Sequence, residues 1–252
     1  MVKKIQIAVD IRDLRIAKTG SKTYLEEITR EFKKGHPDFS FHFLDTWLPV
    51  YTGGNKLLKI VEHIRFFSWK QLWLPLICAI KRCDILFCTD YFVPLLKGST
   101  KTVVVFYDAF FWEYPNHYNR IWLFLLNTLG VRAAKNADAV ITITHYSKKQ
   151  IMQYTGIDAD KIYPIHLAPK SSTKQVDLQN AVLDPHKKYI LHIGVMEKRK
   201  NIPNLIRAFH LLLQEGYQEY YLVLVGSSSP KKKLDDSANI RELIQTDRKS
   251  VV

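Results

Sequence analysis

The chain has 252 residues, 47% hydrophobic and 12% aromatic, enough for one large or two modest domains with real cores, so global disorder is excluded. Its 37 Lys and Arg against 24 Asp and Glu leave a formal charge of +13. Such a surface suits nucleic acid, anionic lipid or phosphorylated substrates, and charge alone does not choose among them.

The opening MVKKIQIAVDIRD enters a strand directly and lacks the apolar core and small-residue cleavage site of a signal peptide, which predicts a cytoplasmic chain. Residues 4–9 read as that first strand, closed by Asp10, and residues 23–32 as an amphipathic helix reached through a turn at Gly20. Gly20-Ser21-Lys22-Thr23 lacks the Gly-Lys-Thr order and the earlier glycine of a P-loop, so a nucleoside triphosphatase is not indicated. Residues 39–44 alternate as a second strand, and Gly53-Gly54 mark a loop.

Residues 56–82 mix Arg65, Phe66, Phe67, Trp69, Lys70, Trp73 and Lys81, a combination suited to lying on a membrane surface. The competing reading turns Leu72, Leu76, Ile77 and Ile80 toward the core. Cys78, Cys83 and Cys88 fall five apart in apolar runs, which fits buried thiols and neither a disulfide framework nor a metal pattern. No apolar run reaches the ~18 residues of a membrane span.

Residues 84–89 form a third strand. Residues 101–107, KTVVVFY, are almost continuously apolar, as in a strand covered by helices on both faces. Ligands of doubly wound sheets gather at the carboxyl ends of strands, so residues 107–115 are candidates to face a cleft. Asp108 is read either as a catalytic contact or as the cap of the next turn. Residues 118–134 form a helix, 139–143 a strand, and Thr144-His145-Tyr146-Ser147 opens another helix with Thr and Ser caps, His145 being structural. Residues 161–165 close the first sheet. The fold class is α/β, a doubly wound, mainly parallel first domain over residues 1–168, a polar linker over 169–187, and the start of a second Rossmann-like domain over 188–246.

In that second domain an apolar strand, 189–193, ends at Gly194 and crosses a short charged turn before a helix opening at Asn201. Asn201 is a suitable N-cap and Pro203 sits in the first turn, so the positive end of the helix points back at the loop. Lys198, Arg199 and Lys200 stand just before it, and a phosphate lodged there would meet an ammonium, a guanidinium and N–H groups together.

The Gly-x4-Arg-Lys-Asn motif followed by an apolar helix resembles the donor-binding motif of family 4 glycosyltransferases, enzymes of two Rossmann domains that move a sugar from a nucleotide-sugar to an acceptor hydroxyl. The resemblance extends from Ile5 to about Ile244. It implies that Lys200 grips the donor diphosphate with Arg199, Asn201 and Gly194 beside it, that Gly20 and Ser21 lie near the phosphates and acceptor, and that Thr144 and Ser147 face the donor. The family often places a second Arg where this chain has Val195. Asp108 matches the Asp of a His-Asp segment in which Tyr107 stands for the His. Retention of anomeric configuration is implied, with no metal and no cofactor beyond the nucleotide-diphosphate sugar as substrate. The implied partners are that sugar and a saccharide or lipid-linked acceptor in cell-surface polysaccharide or glycolipid synthesis, with peripheral contact to anionic membrane at the inner face and no nucleic acid.

The family continues for roughly a hundred residues more and carries a Glu-x7-Glu motif that is not in this chain, which predicts a truncated and inactive fragment. The last six residues, 247–252, back-translate as GATCGGAAGAGCGTCGTG, similar to a sequencing-library adapter, and are read as a non-native tail. Other codons in the source DNA would end that reading. A sugar-nucleotide epimerase of the same architecture and a non-catalytic basic module are the alternatives. The first lacks placeable acid and base residues, and the second lacks a single cationic face interleaved with aromatics.

Overall fold

A computed structural model describes residues 3–17, 19–169, 184, 186–229, 232–246 and 250–251. The chain divides into two compact units, Met1–Ser171 and Ser172–Val252. The division falls in the stretch read as a linker, most of which lies outside the described residues, as does most of the 247–252 tail.

The first unit is built on six parallel strands: β1 (Ile5–Asp10), β2 (Phe39–Leu44), β3 (Ile85–Cys88), β4 (Lys101–Val105), β5 (Ala139–Thr142) and β6 (Ile162–Pro164), in the spatial order β2-β1-β3-β4-β5-β6. The chain moves outward from β1 to β2, then returns and builds in the opposite direction from β3. The order therefore reverses between β1 and β3, and the crevice at such a reversal is where doubly wound sheets hold their ligands.

Strand periodicity sorts the core onto the two faces. Ala8, Leu86, Cys88, Val104, Phe106 and Val140 pack into one cluster with Trp69, Leu74, Cys78, Leu126 and Ile151. Val9, Phe87 and Val105 pack on the other face against Tyr24, Ile28 and Phe32 of α1 (Thr19–Lys33). Phe106 and Val104 are fully buried, as the unbroken apolar run of β4 requires. All three cysteines are buried free thiols, and burial pushes the Cys78 thiol up to about 12.

Two segments differ from expectation. Helix α1 begins at Thr19, so Gly20 and Ser21 lie in its first turn and not in a loop before it; space around Gly20 is open, and no neighbour among the described residues demands a glycine there. The larger difference concerns residues 56–82, which form α2 (Lys56–Ser68), a π-helical turn over Trp69–Trp73 and α3 (Leu74–Ile80). A π turn inserts an extra residue and slips the helical phase by about 100°. As a result Trp69, Lys70, Leu74 and Cys78 face inward, while Leu72, Leu76 and Ile80, read as core, are exposed and only Ile77 packs partly against the core. Trp69 and Lys70 likewise leave the surface group to which the aromatic and cationic mixture had assigned them.

Downstream, α4 (Phe110–Glu113) is a single turn, and α5 (Arg120–Leu125) continues through a π turn over Leu126–Gly130 into α6 (Val131–Lys135). Helix α7 (His145–Thr155) follows β5 and ends at Gly156 in the left-handed conformation.

The second unit holds three parallel strands in the order β7 (Lys188–Ile193), β8 (Tyr220–Val225), β9 (Ser250–Val251), with α8 (Ile202–Gln214) and α9 (Ser237–Thr246) between them. Ile202, Ile206, Phe209 and Leu213 of α8 form a core with Met196, Leu222, Leu224 and Ile240. That core covers one face of the sheet. On the strands Leu191, Ile193 and Val225 remain exposed among the described residues.

The phase slip is directly testable. Leu74→Ala should lower unfolding free energy by about 2 to 5 kcal/mol, whereas Leu72→Ala, two residues away and mostly exposed, should stay within about 0.5 kcal/mol. Denaturant midpoints of the two variants measure the difference, and equal losses would contradict the assigned helical face.

Candidate functional site

In the second unit, β7 delivers Gly194 to the carboxyl end of the sheet, where its N–H bonds Val225 O at 2.8 Å. Lys198–Lys200 then form a 3-10 turn, and Asn201 takes the left-handed conformation (φ 51°, ψ 38°) before α8. Asn201 occupies the N-cap position but its side chain makes no capping bond, contrary to expectation; the left-handed backbone turns the amide away from that role. The backbone donors of the turn are also largely used within the protein: Lys198 N–H bonds Leu234 O, Lys200 N–H bonds Glu197 O and Asn201 N–H bonds Lys198 O. An anion here would rely on side chains and the positive end of α8.

Lys200 and Gly194 come together as the motif implied. The Lys200 ammonium lies over the glycine so closely that a Cβ at position 194 would fall on it, and it has no acceptor among the described residues. Arg199 differs, since its Nε is bonded to Glu197 Oε2 at 2.7 Å. Beside the same point is His192 Nε2, a buried nitrogen with no hydrogen-bond partner among the described residues. Sequence reasoning passed over His192; a polar residue next to the glycine in an otherwise apolar strand was the available signal.

In the first unit the remaining sequence candidates share the carboxyl edge of the sheet, because each follows a strand: Gly20 and Ser21 after β1, Asp108 after β4, Thr144 and Ser147 after β5. Local roles occupy several of them. Asp108 Oδ1 accepts from Phe110 N–H at 3.1 Å, capping α4, and from the Tyr91 hydroxyl at 3.4 Å. Thr144 Oγ1 accepts from Ser147 N–H at 3.0 Å and donates to Ser147 Oγ at 2.9 Å, the expected cap of α7.

The same edge holds an ionic network that sequence reasoning missed. Lys70, 1% exposed, is carried inward by the π turn and donates to Asp10 Oδ2 at the end of β1 and to Asp90 Oδ1 just after β3. Trp69 Nε1 donates to Asp10 Oδ1 at 3.1 Å. Arg12 pairs with Glu62 and lies 3.7 Å from Asp13, and Arg65 bonds Glu62 at 2.7 Å. Desolvation works against the Lys70 ammonium, but Asp10 and Asp90 outweigh it and hold its pKa well above the ordinary lysine value. Burial, reinforced by the neighbouring carboxylates, pushes Asp90 up to about 8 and raises Asp13 as well. Asp10, Cys88 and Asp90 bring three ligand-type atoms within 4.8 Å of one another, but the Lys70 ammonium already holds the place a cation would take between the two carboxylates. The one legible signal was a lysine in a run of aromatic and aliphatic residues.

Comparison with known proteins follows the division into units. The family described as Glycosyltransferase Family 4 matches residues 22–168, and that described as Glycosyl transferases group 1 matches residues 174–246. Among curated proteins the chain is similar to O-antigen chain mannosyltransferase B of Escherichia coli, 26% identical over 132 residues that make up 50% of this chain and 35% of that protein. It is also similar to serotype-specific mannosyltransferase WbdA of Escherichia coli, 29% identical over 105 residues, 39% of this chain and 13% of that protein. The chain thus spans about a third or less of the length of these relatives. Among solved structures it resembles the apo form of the lipopolysaccharide outer core galactosyltransferase WaaB, with a TM-score of 0.51 and 17% identity over 98% of this chain and 67% of that one, a likeness of fold. With a family match running through most of the parallel sheet of the first unit, and a second over the Gly194 to Lys200 loop, the chain belongs to glycosyltransferase family 4.

Proposed function

We propose that the protein transfers a sugar from a nucleotide-diphosphate sugar to a hydroxyl of a saccharide or lipid-linked acceptor in the synthesis of a cell-surface polysaccharide or glycolipid. The observation that carries this reading is the Lys200 ammonium, held over Gly194 beside the positive end of α8 and without an acceptor among the described residues. The leaving group of such a transfer is a nucleoside diphosphate, and fixed positive charge around it is the largest service the protein can give. Lys200 is placed to supply it, with Arg199 as a second cation that must first loosen from Glu197, and with His192 Nε2 as a further group for a phosphate oxygen. These groups do the work of a divalent ion, so no metal is invoked. Both curated relatives are mannosyltransferases by name, one of them acting on an O-antigen chain, which agrees in class with this reading.

We further infer that the first unit rests on anionic membrane at the inner face. No helix among the described residues is long and apolar enough to cross a membrane. Helices α2 and α3 and the π turn between them instead carry Leu57, Ile60, Ile64, Leu72, Leu76 and Ile80 exposed, flanked by exposed Lys56, Lys59, Lys81 and Arg82 and by Trp47 and Trp73. Apolar side chains bordered by lysine and tryptophan suit the headgroup boundary. Because these apolar residues face outward, the contact is both electrostatic and apolar.

Two measurements check these statements. Lys200→Ala should weaken binding of UDP or GDP to the chain by about tenfold or more, and in a full-length enzyme with the missing region restored should lower transfer to a native acceptor by about 2 to 4 kcal/mol of transition-state stabilisation, while Arg199→Ala should cost less. A Lys200→Ala protein that binds both nucleotides as tightly as the wild type would remove the diphosphate reading of the loop. In co-sedimentation with phosphatidylglycerol-containing vesicles, salt should weaken binding without abolishing it, and the double change Ile64→Ser with Leu72→Ser should reduce the partition coefficient by about tenfold or more. Complete loss in high salt, or no effect of the double change, would rule out the apolar contact.

A further inference from the structure

A cavity of about 640 Å³ opens at the amino edge of the first unit's sheet, the end opposite the edge where the strand-order reversal makes its crevice. Its walls are residues 3–5, 83–85 and 99–101, at the starts of the neighbouring strands β1, β3 and β4, together with the end of α3. Small side chains leave the space, since Cys78, Ala79 and Cys83 stand where α3 meets the strands. The volume is that of a small-molecule site.

Four cations line the cavity. Lys3, Lys4, Arg82 and Lys101 are all exposed, and none forms an ion pair among the described residues. The one carboxylate in the lining, Asp84, already accepts from Gln6 N–H at 2.7 Å. Lys101 also acts on Asp138, but that carboxylate is held by Lys97 and by Thr102 N–H. Like charges around a concave surface focus a positive field and draw an anion into it. The backbone donors nearby are spent, with Ile5 N–H on Asp38 O, Cys83 N–H on Cys78 O and Lys101 N–H on Asp84 O, so side chains must meet that anion.

Arg82 adds an independent sign. Its N–H bonds Ala79 O at 3.1 Å and Cys83 N–H bonds Cys78 O at 2.8 Å, the pattern that closes a helix on a left-handed residue, and Arg82 is that residue, at φ 52°. Glycine takes this conformation freely and arginine does not. A guanidinium kept at the rim against that cost points to a ligand that its fork can grip.

We propose that this cavity binds a phosphate group, supplied by the headgroup of an anionic phospholipid. An arginine fork with three ammonium groups suits a phosphate, which offers several oxygens to paired donors. The lipid source follows from position, because the end of α3 that walls the cavity also carries Leu76, Ile80 and Lys81 exposed. A headgroup phosphate in the cavity leaves its acyl chains beside those apolar residues. The inference rests on the membrane reading and gives it a specific contact, one that involves neither the Lys200 loop nor the carboxyl edge of the sheet.

The test uses the 252-residue chain. The soluble probes are glycerol 3-phosphate and inorganic phosphate, with glycerol as the neutral comparator, and the lipid probes are phosphatidylcholine vesicles with and without phosphatidylglycerol. Glycerol 3-phosphate should shift the amide resonances of residues 82–85 and 99–101 saturably at about 0.1 M salt, and glycerol should not. Arg82→Gly should weaken that binding, and the phosphatidylglycerol-dependent part of vesicle binding, by about tenfold, as should Lys4→Gln with Lys101→Gln. Because glycine suits the left-handed position, Arg82→Gly should keep or raise the denaturant midpoint, which separates loss of ligand from loss of fold. No saturable shift at these amides, or vesicle binding that both cavity variants leave intact, would overturn the proposal. A chain that takes glycerol 3-phosphate in the cavity yet never binds vesicles sinks the lipid source and the membrane reading together. Vesicle binding lost in Ile64→Ser with Leu72→Ser but kept in both cavity variants sinks only the cavity.

Discussion

The first unit depends on one buried ammonium. Lys70 ties the carboxyl ends of β1 and β3 to the helical segment that covers one face of the sheet, and it does so with almost no exposure to water. Removing three ions from water is expensive, and attraction between them returns that cost only when the geometry is held tightly. Its value is therefore positional. Lys70 fixes where the π turn sits against the sheet, keeps two acids together at the strand-order reversal, and so shapes the crevice in which a ligand of this fold would lie.

The same constraint explains the outward face of α2 and α3. For Lys70 to reach Asp10, the helix must turn Trp69 and Lys70 inward at consecutive positions, and the π turn is the device that permits it. Leu72, Leu76 and Ile80 are then carried to the surface. A buried polar contact on one side of the helix and an apolar surface on the other are thus two results of one phase shift.

The second unit places its cation differently. Lys200 is positioned by the absence of a side chain at Gly194, and by a turn whose backbone donors are already satisfied within the protein. In the first unit a cation is locked between acids and serves the structure, whereas in the second a cation at the mouth of a helix has no acceptor among the described residues. An ion pair that is complete has little attraction left for a ligand, and an ammonium held without a partner keeps all of it.

Much of this was legible in the chain itself. Period-two runs and unbroken apolar stretches determined the strands, because burial of alternate or of all side chains is a local property of sequence. Thr144 as a helix cap and Lys200 beside Gly194 were readable for the same reason, since the partners lie within a few positions of one another. Residues 56–82 were not, because a helical face inferred from a constant period fails where the period changes. Asp10 and Asp90 stand 60 and 20 positions from Lys70, and no local pattern links them. Only the parallel pairing of β1 with β3 brings those acids side by side, and only burial from water makes their charge matter.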